Sequence, residues 1–226
     1  MTADTSAGRV ADLEEDNRRL RRLLDQRDAP GELRHRLRST LSLLRGVIRR
    51  SAATERDLPG YVAHLEERLD AITRAQAYAD ESGEVELLTL FADELLQYGA
   101  AEGERLTLSG PDVRLQPRSG QILALALHEL AVNAVEHGAL GQDIGTIDVS
   151  WSVATTGPAT TLLISWTEQG APFGTIPTGS GFGTEVLTRM LAYELNATTN
   201  LAIEQDRLRC TISFPLANEV GRVVQR

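Results

Sequence analysis

The segment from Ile122 to Val135 is the most apolar in the chain, yet His128, Glu129 and Asn133 interrupt it. Two ionisable groups and an amide at these points exclude a bilayer span, where each would need a partner inside hydrocarbon. At helical spacing Glu129, Asn133 and Glu136 recur at i, i+4 and i+7, so a helix over Ser119 to His137 carries one polar strip on a Leu/Ala-rich surface. Carboxylates and an amide are costly to bury unless they line a ligand cleft. The fold must therefore cover the apolar faces of this helix, and its polar strip either lines a ligand cleft or faces water; the scarcity of other polar positions on the helix favours the cleft.

The flanking residues supply the cover. Thr146 to Val153 and Thr161 to Thr167 alternate as strands about a Gly157-Pro158 turn, with shorter strands expected at Arg105 to Leu108 and Val113 to Leu115. Thr198 to Glu204 and Leu208 to Phe214 close the pattern around a turn at Asp206, while Val85 to Gly99 and Thr184 to Leu195 read as helices. Helices on one face of a mostly antiparallel sheet make an α+β two-layer domain.

Before about Glu81-Ser82-Gly83 the pattern is wholly helical. Val10, Leu13, Leu20 and Leu24 fall at heptad spacing with Asn17 at an a position, which fits a parallel coiled-coil dimer. A single solvated amphipathic helix fits the same residues, and the charges of both signs beside the stripe favour the coiled coil. After Ala29-Pro30-Gly31, Leu33, Leu37, Leu41, Leu44 and Ile48 line one helix face, and after Asp57-Leu58-Pro59-Gly60 the residues Val62, Leu65, Leu69, Ile72 and Gln76 line another. Two such helices form an antiparallel hairpin, and dimerisation into a four-helix bundle would cover its exposed stripe. The expected divisions are a coiled coil over 1–28, a hairpin over 29–82, the α+β domain over 83–217 and a tail over 218–226.

Charge narrows the function. The 226 residues carry a formal charge of −9, which excludes a general nucleic-acid-coating role because phosphate neutralisation needs a basic surface. Residues 1–50 hold 12 Arg against 8 acids, the remainder 11 Arg against 24 acids, and the sequence contains no Lys. The one Cys, Cys210, cannot form an internal disulfide, and the four His lack zinc-site spacing. No signal-peptide pattern opens the sequence, so neither membrane insertion nor secretion is expected, and the cytoplasm is the expected location.

Three places carry candidate chemistry. His35, two residues beyond Leu33 and two before Leu37, points away from the apolar stripe and is available as a nucleophile. The polar strip of Glu129, Asn133 and Glu136 is the second. The third joins Trp166-Thr167-Glu168-Gln169-Gly170-Ala171-Pro172, at a strand end, to Gly179-Ser180-Gly181-Phe182-Gly183, before a helix. Glycines there let backbone N–H groups approach phosphate oxygens, although no Walker A pattern follows.

In order and spacing, across about residues 31 to 217, these motifs resemble the HWE histidine kinases, named for a His in the N box and a Trp-x-Glu in the first glycine box. His35-Arg36 matches the phosphoacceptor, His128 to Leu140 the N box, Trp166 to Pro172 the first glycine box, and Gly181 to Leu187 the second. The resemblance implies a dimeric helical hairpin followed by a two-layer α/β-sandwich ATP-binding domain of Bergerat type. It implies that His35 accepts the γ-phosphoryl group of ATP and passes it to an Asp on a response-regulator receiver domain. Position by position, Glu129 would polarise or deprotonate the imidazole and Asn133 would hold Mg²⁺. Glu168 would accept from the adenine amino group, Gly170 would shape the turn below the base, and Gly181 and Gly183 would cradle phosphates.

Some positions depart from the family. Ser39 stands where an Asn is usual after the phosphoacceptor, Ala171 replaces a Gly, and Glu136 replaces a Lys beside the phosphates. A carboxylate about 5 Å from a phosphate costs on the order of 3 kcal/mol at an effective dielectric near 20, roughly a hundredfold in ATP affinity if uncompensated. The alternative function is therefore an ATP-impaired histidine phosphotransfer protein or response-regulator phosphatase on the same scaffold. A third is an anti-sigma-type kinase or interaction protein with no role for His35. The 226 residues show no sensor domain, so the input is expected either from a separate sensor protein as a partner or from a sensor segment of a longer chain of which this is a truncation.

Overall fold

A computed structural model describes residues 31, 37–52, 57–100, 103, 105–157, 159–173, 181–204 and 206–224. His35, the heptad segment over 1–28 and the loop residues up to Ser180 lie outside the described residues. The chain divides into two compact units after Gly46. The described part of the first is helical, and its helix, α1, runs over residues 37–51 into the second unit. On α1 Leu43 and Val47 are buried while Leu37, Leu41 and Ile48 are exposed, so the stripe expected at the centre of a bundle faces outward in the single chain.

The second unit, Val47–Arg226, continues with α2, Leu58–Ser82. Asp57 caps its start by accepting from the Gly60 N–H at 3.3 Å, Pro59 sits in its first turn, and Gly83 in the left-handed region (φ 79°) ends it. Its buried face is Arg68, Ala71, Ile72, Ala75 and Ala79; of the expected stripe of Val62, Leu65, Leu69, Ile72 and Gln76, Ile72 is buried, Leu65, Leu69 and Gln76 are half-buried and Val62 is exposed. Small alanines at i, i+4 and i+8 let α2 approach α4, the helix Pro117–Glu136, closely, and that packing overrides the leucine stripe.

Between α2 and α4 the expected single helix over Val85 to Gly99 is a two-residue strand, β1 (Val85–Glu86), followed by α3 (Leu87–Leu96). Strands β2 (Leu106–Ser109) and β3 (Val113–Leu115) follow. Beyond α4, a 3₁₀ turn at Ala139–Gly141 leads to β4 (Thr146–Thr156) and β5 (Ala159–Gln169). Helix α5 (Phe182–Glu185) passes through a π-helical turn at Val186–Met190 into α6 (Leu191–Leu195), then β6 (Thr198–Glu204), β7 (Arg207–Pro215) and β8 (Gly221–Val223). The residues expected as a tail thus contain a strand: β8 pairs with β3, and β3 with β1, in a small antiparallel sheet.

The main sheet runs β2-β4-β5-β7-β6, with β2 parallel to β4 and the other pairs antiparallel. Its register aligns inward side chains in rows: Leu108, Val149, Trp166, Cys210 and Leu201 form one, and Leu106, Ile147, Glu168, Leu208 and Ile203 the next. Phe91 of α3 stacks on Trp151 of β4 with ring centroids 5.4 Å apart. Outward positions are Ser and Thr in the main, as expected of a sheet with one solvated face. Helices and sheet therefore form the α+β two-layer domain, and the row that holds Glu168 places a carboxylate on an otherwise apolar face.

Candidate functional site

Helix α4 is the spine of the site, and its polar strip does not behave as one strip. Glu129 is buried, whereas Asn133 and Glu136 are exposed. The reason is Arg68, projecting from α2: its Nε donates to Glu129 Oε1 at 2.6 Å and its Nη2 to Oε2 at 3.2 Å, with both side chains under a tenth exposed. Nη1 donates to Ser51 Oγ at 3.1 Å, and the guanidinium lies 3.7 Å from the centroid of the Phe182 ring. Arginine suits this place because its planar fork meets both carboxylate oxygens while its face stacks on an aromatic ring.

Asn133, one turn on, is open to solvent. A Cβ added at Gly183 would lie 3.0 Å from Glu129 Oε2 and 3.5 Å from Asn133 Nδ2, so the second glycine box, Glu129 and Asn133 converge. Gly181, just before α5, has open space where its Cβ would be. Glu136 is exposed, with an oxygen 3.6 Å from His137 Nε2. His128 is buried in a separate network, its Nδ1 2.9 Å from Glu94 Oε1 and 3.3 Å from the Tyr98 hydroxyl, while Arg74 donates to Glu94 Oε2 at 2.6 Å.

Glu168 lies at the C-terminal end of α4. Ala139 N–H donates to its Oε2 and Trp166 Nε1–H to its Oε1, each at 2.9 Å. Burial pushes its carboxyl above the ordinary value, and the two N–H donors pull it partly back. Gly138 must be glycine, because a Cβ there would sit 2.0 Å from Glu168 Oε2. Arg105 fixes the loop that carries the Ala139 donor by donating to the carbonyls of Ala139, Gln142 and Gly145 at 2.9, 2.6 and 2.9 Å. Gly170, with φ 80°, turns the chain against Gly145, whose Cα a Cβ would meet at 3.0 Å. Cys210, beside Trp166 in the sheet, is buried, and its thiol is pushed up to about 12 by burial and then by the Glu168 charge.

The structure thus gathers Glu129, Asn133 and Gly183 at one place, and Glu168, Gly138 and Gly170 at another, along the last turns of α4. Arg68 and Ala139 were missed by the sequence reading. Arg68 had a signal: it interrupts the leucine-rich side of α2 between Leu65 and Ile72, where a lone Arg beside an apolar stripe asks for a buried partner. Ala139 acts through its backbone, which no side-chain pattern reports. Among the described residues no cluster of three or more His, Cys, Asp or Glu could hold a metal. No helix among them is long and apolar enough to cross a membrane.

Residues 32–112 match the family model for HWE histidine kinase. The chain is 38% identical over 151 residues to blue-light-activated histidine kinase 1 of Erythrobacter litoralis, covering 65% of this chain and 41% of that protein. It is 31% identical over 188 residues to the blue-light-activated histidine kinase of Rhizobium johnstonii, covering 82% of this chain and 52% of that one. It therefore spans about half the length of the curated relatives it matches, or less. The solved blue-light activated histidine kinase EL346 of Erythrobacter litoralis shares the fold at a TM-score of 0.62 and 14% identity, over 81% of this chain and 60% of that one. By these matches, and by the motifs that α4, β5 and α5 bring together, the chain belongs to the HWE histidine kinase family.

Proposed function

We propose that the chain is the kinase core of a two-component sensor: it binds MgATP along α4, phosphorylates His35, and hands the phosphoryl group to an Asp of a response-regulator receiver domain. The observation that carries this reading is Glu168, a buried carboxylate held by two neutral N–H donors at one end of α4, with the exposed Asn133 converging on Gly183 at a second place along the same helix. An acceptor-only group on an apolar face, whose two hydrogen-bond partners are both neutral, suits an amino group of a ligand.

In this reading Glu168 accepts from the 6-amino group of adenine and Gly170 shapes the turn below the base. Asn133 holds Mg²⁺, and Gly181 and Gly183 leave backbone N–H groups free for phosphates. MgATP, when bound, supplies the γ-phosphoryl group. An imidazole nitrogen of His35 forms the P–N bond as the bond to the β,γ-bridging oxygen breaks and ADP leaves, with Glu129 orienting or taking the imidazole proton. Leu37, Leu41 and Ile48, exposed in the single chain, would be covered in a homodimeric four-helix bundle preceded by the 1–28 coiled coil. In this reading the hairpin domain is 29–82, and the ATP-binding part expected over 83–217 extends to include β8, which pairs with β3. The input reaches this core from a sensor, and the cytoplasm houses the core and its receiver partner.

One observation favours the second reading, a phosphotransfer protein or phosphatase with silenced ATP chemistry: Arg68 already occupies both oxygens of Glu129. Glu136, by contrast, stands in solvent beside His137, which softens its expected repulsion of a polyanion. Titration with a fluorescent ATP analogue, with and without Mg²⁺, separates the readings. The kinase reading expects Mg²⁺-dependent binding that Asn133→Ala removes. Binding that is absent, or indifferent to Mg²⁺ and to Asn133→Ala, overturns it.

A further inference from the structure

Trp166 and Glu168 are two residues apart on β5, and the two-residue period of a strand puts both on the inner face of the sheet. The described residues hold three buried glutamates. Glu94 has Arg74 and Glu129 has Arg68, but Glu168 has only the indole N–H of Trp166 and the backbone N–H of Ala139. A carboxylate held through one oxygen can still swing about its terminal bond, which is a soft torsion. One held at both oxygens by donors from two different elements is fixed in plane, and each oxygen keeps a lone pair for a ligand. One of those donors is backbone, so the side chain that decides between a fixed and a swinging acceptor is Trp166. Gly138 closes the space on the Oε2 side, which leaves few alternative orientations.

We propose that Trp166 is a positioning residue for base recognition: its indole N–H aims the Glu168 carboxylate so that the site takes a 6-aminopurine and rejects a 6-oxopurine. The proposal rests on the reading of Glu168 as the adenine acceptor. An ionised carboxylate accepts from an exocyclic amino group and repels a carbonyl oxygen, so discrimination depends on the carboxylate being both ionised and correctly turned. Trp166 serves both ends, because its N–H favours the charged form while fixing the plane. Phenylalanine would keep an aromatic ring in the core, though a smaller one, and leave Glu168 Oε1 without its donor.

The test is a four-protein cycle of the unmodified chain, Trp166→Phe, Glu168→Gln and the double variant, each titrated with MgATP and MgGTP from pH 5 to pH 9. Glu168→Gln is expected to lower the preference for ATP by about tenfold or more, the worth of a hydrogen bond to a charged group. Trp166→Phe is expected to lower it several-fold, to move the acid limb of ATP binding to higher pH, and to add nothing in the Glu168→Gln background. If Trp166→Phe does not fold, 3-benzothienylalanine at position 166 keeps the indole outline without its N–H and is held to the same expectations. Equal loss of ATP and GTP, penalties that simply add, or an unmoved acid limb would overturn the positioning role while leaving Glu168 in place. An ATP preference unchanged by Glu168→Gln would remove the adenine reading itself, and the proposal with it.

Discussion

Arg68→Met removes the one cation that faces Glu129 and leaves a carboxylate in a site less than a tenth exposed. Breaking a buried ion pair from one side costs about 3–5 kcal/mol, because the remaining charge keeps its desolvation penalty without its partner. The guanidinium also stacks on Phe182 and donates to Ser51, so the upper end of that range is expected. For a unit of this size each kcal/mol moves Tm by about 2–4 °C, which puts the fall at that upper end at roughly 10–20 °C. Removing both charges in Arg68→Met/Glu129→Gln should recover most of the loss, since replacing a whole buried pair by neutral groups is often close to neutral. Urea unfolding followed by circular dichroism measures all three proteins. A single variant within about 1 kcal/mol of the parent, or a double variant no more stable than Arg68→Met, would refute the picture of a buried, mutually dependent pair.

Three shorter predictions follow from the same geometry. Gly138→Ala puts a methyl 2.0 Å from Glu168 Oε2, and should cost about 1–3 kcal/mol in stability and abolish nucleotide binding; binding retained in calorimetry would show that the carboxylate has room to move. The folded-state carboxyl of Glu168 is raised, so the folded protein holds its proton longer than the unfolded chain, and stability from this group falls as pH rises from the ordinary carboxylate value of 4.5 through the raised one. Urea midpoints across that window should fall less steeply in Glu168→Gln, and identical slopes would count against the burial of its charge. The thiol of Cys210, buried and pushed up to about 12, should resist a disulfide reagent at pH 8 in the native protein and react fully in urea; rapid native labelling would place it elsewhere.

Much of the sheet was legible because period-2 alternation is set by one buried face: Val113–Leu115 and Thr198–Glu204 were located to the residue, and the long strands within a few. The central helix was legible for the same reason, its Leu/Ala surface being wider than one stripe. The Val85–Gly99 segment was misread because Val85 and Glu86 pair with Leu115 and Arg114, a non-local bond that helical propensity does not register. The buried face of α2 was misread because leucines look like core by composition, whereas packing against α4 rewards Ala71, Ala75 and Ala79 for their size. At the site, residue types and spacing were enough to name Glu129, Asn133 and Glu168 as candidates. Their state was not, because Glu129 is governed by Arg68, 61 positions away, and Glu168 by a backbone N–H, 29 positions away.

The central claim is that α4 and its neighbours serve a phosphoryl transfer to His35. Incubating the chain with γ-labelled ATP and Mg²⁺, beside His35→Ala and Asn133→Ala, tests it in one gel. The account predicts label that is acid-labile and base-stable, carried by the unmodified chain and missing from both variants. A folded chain that takes up no label, or one labelled as strongly after His35→Ala, would contradict it.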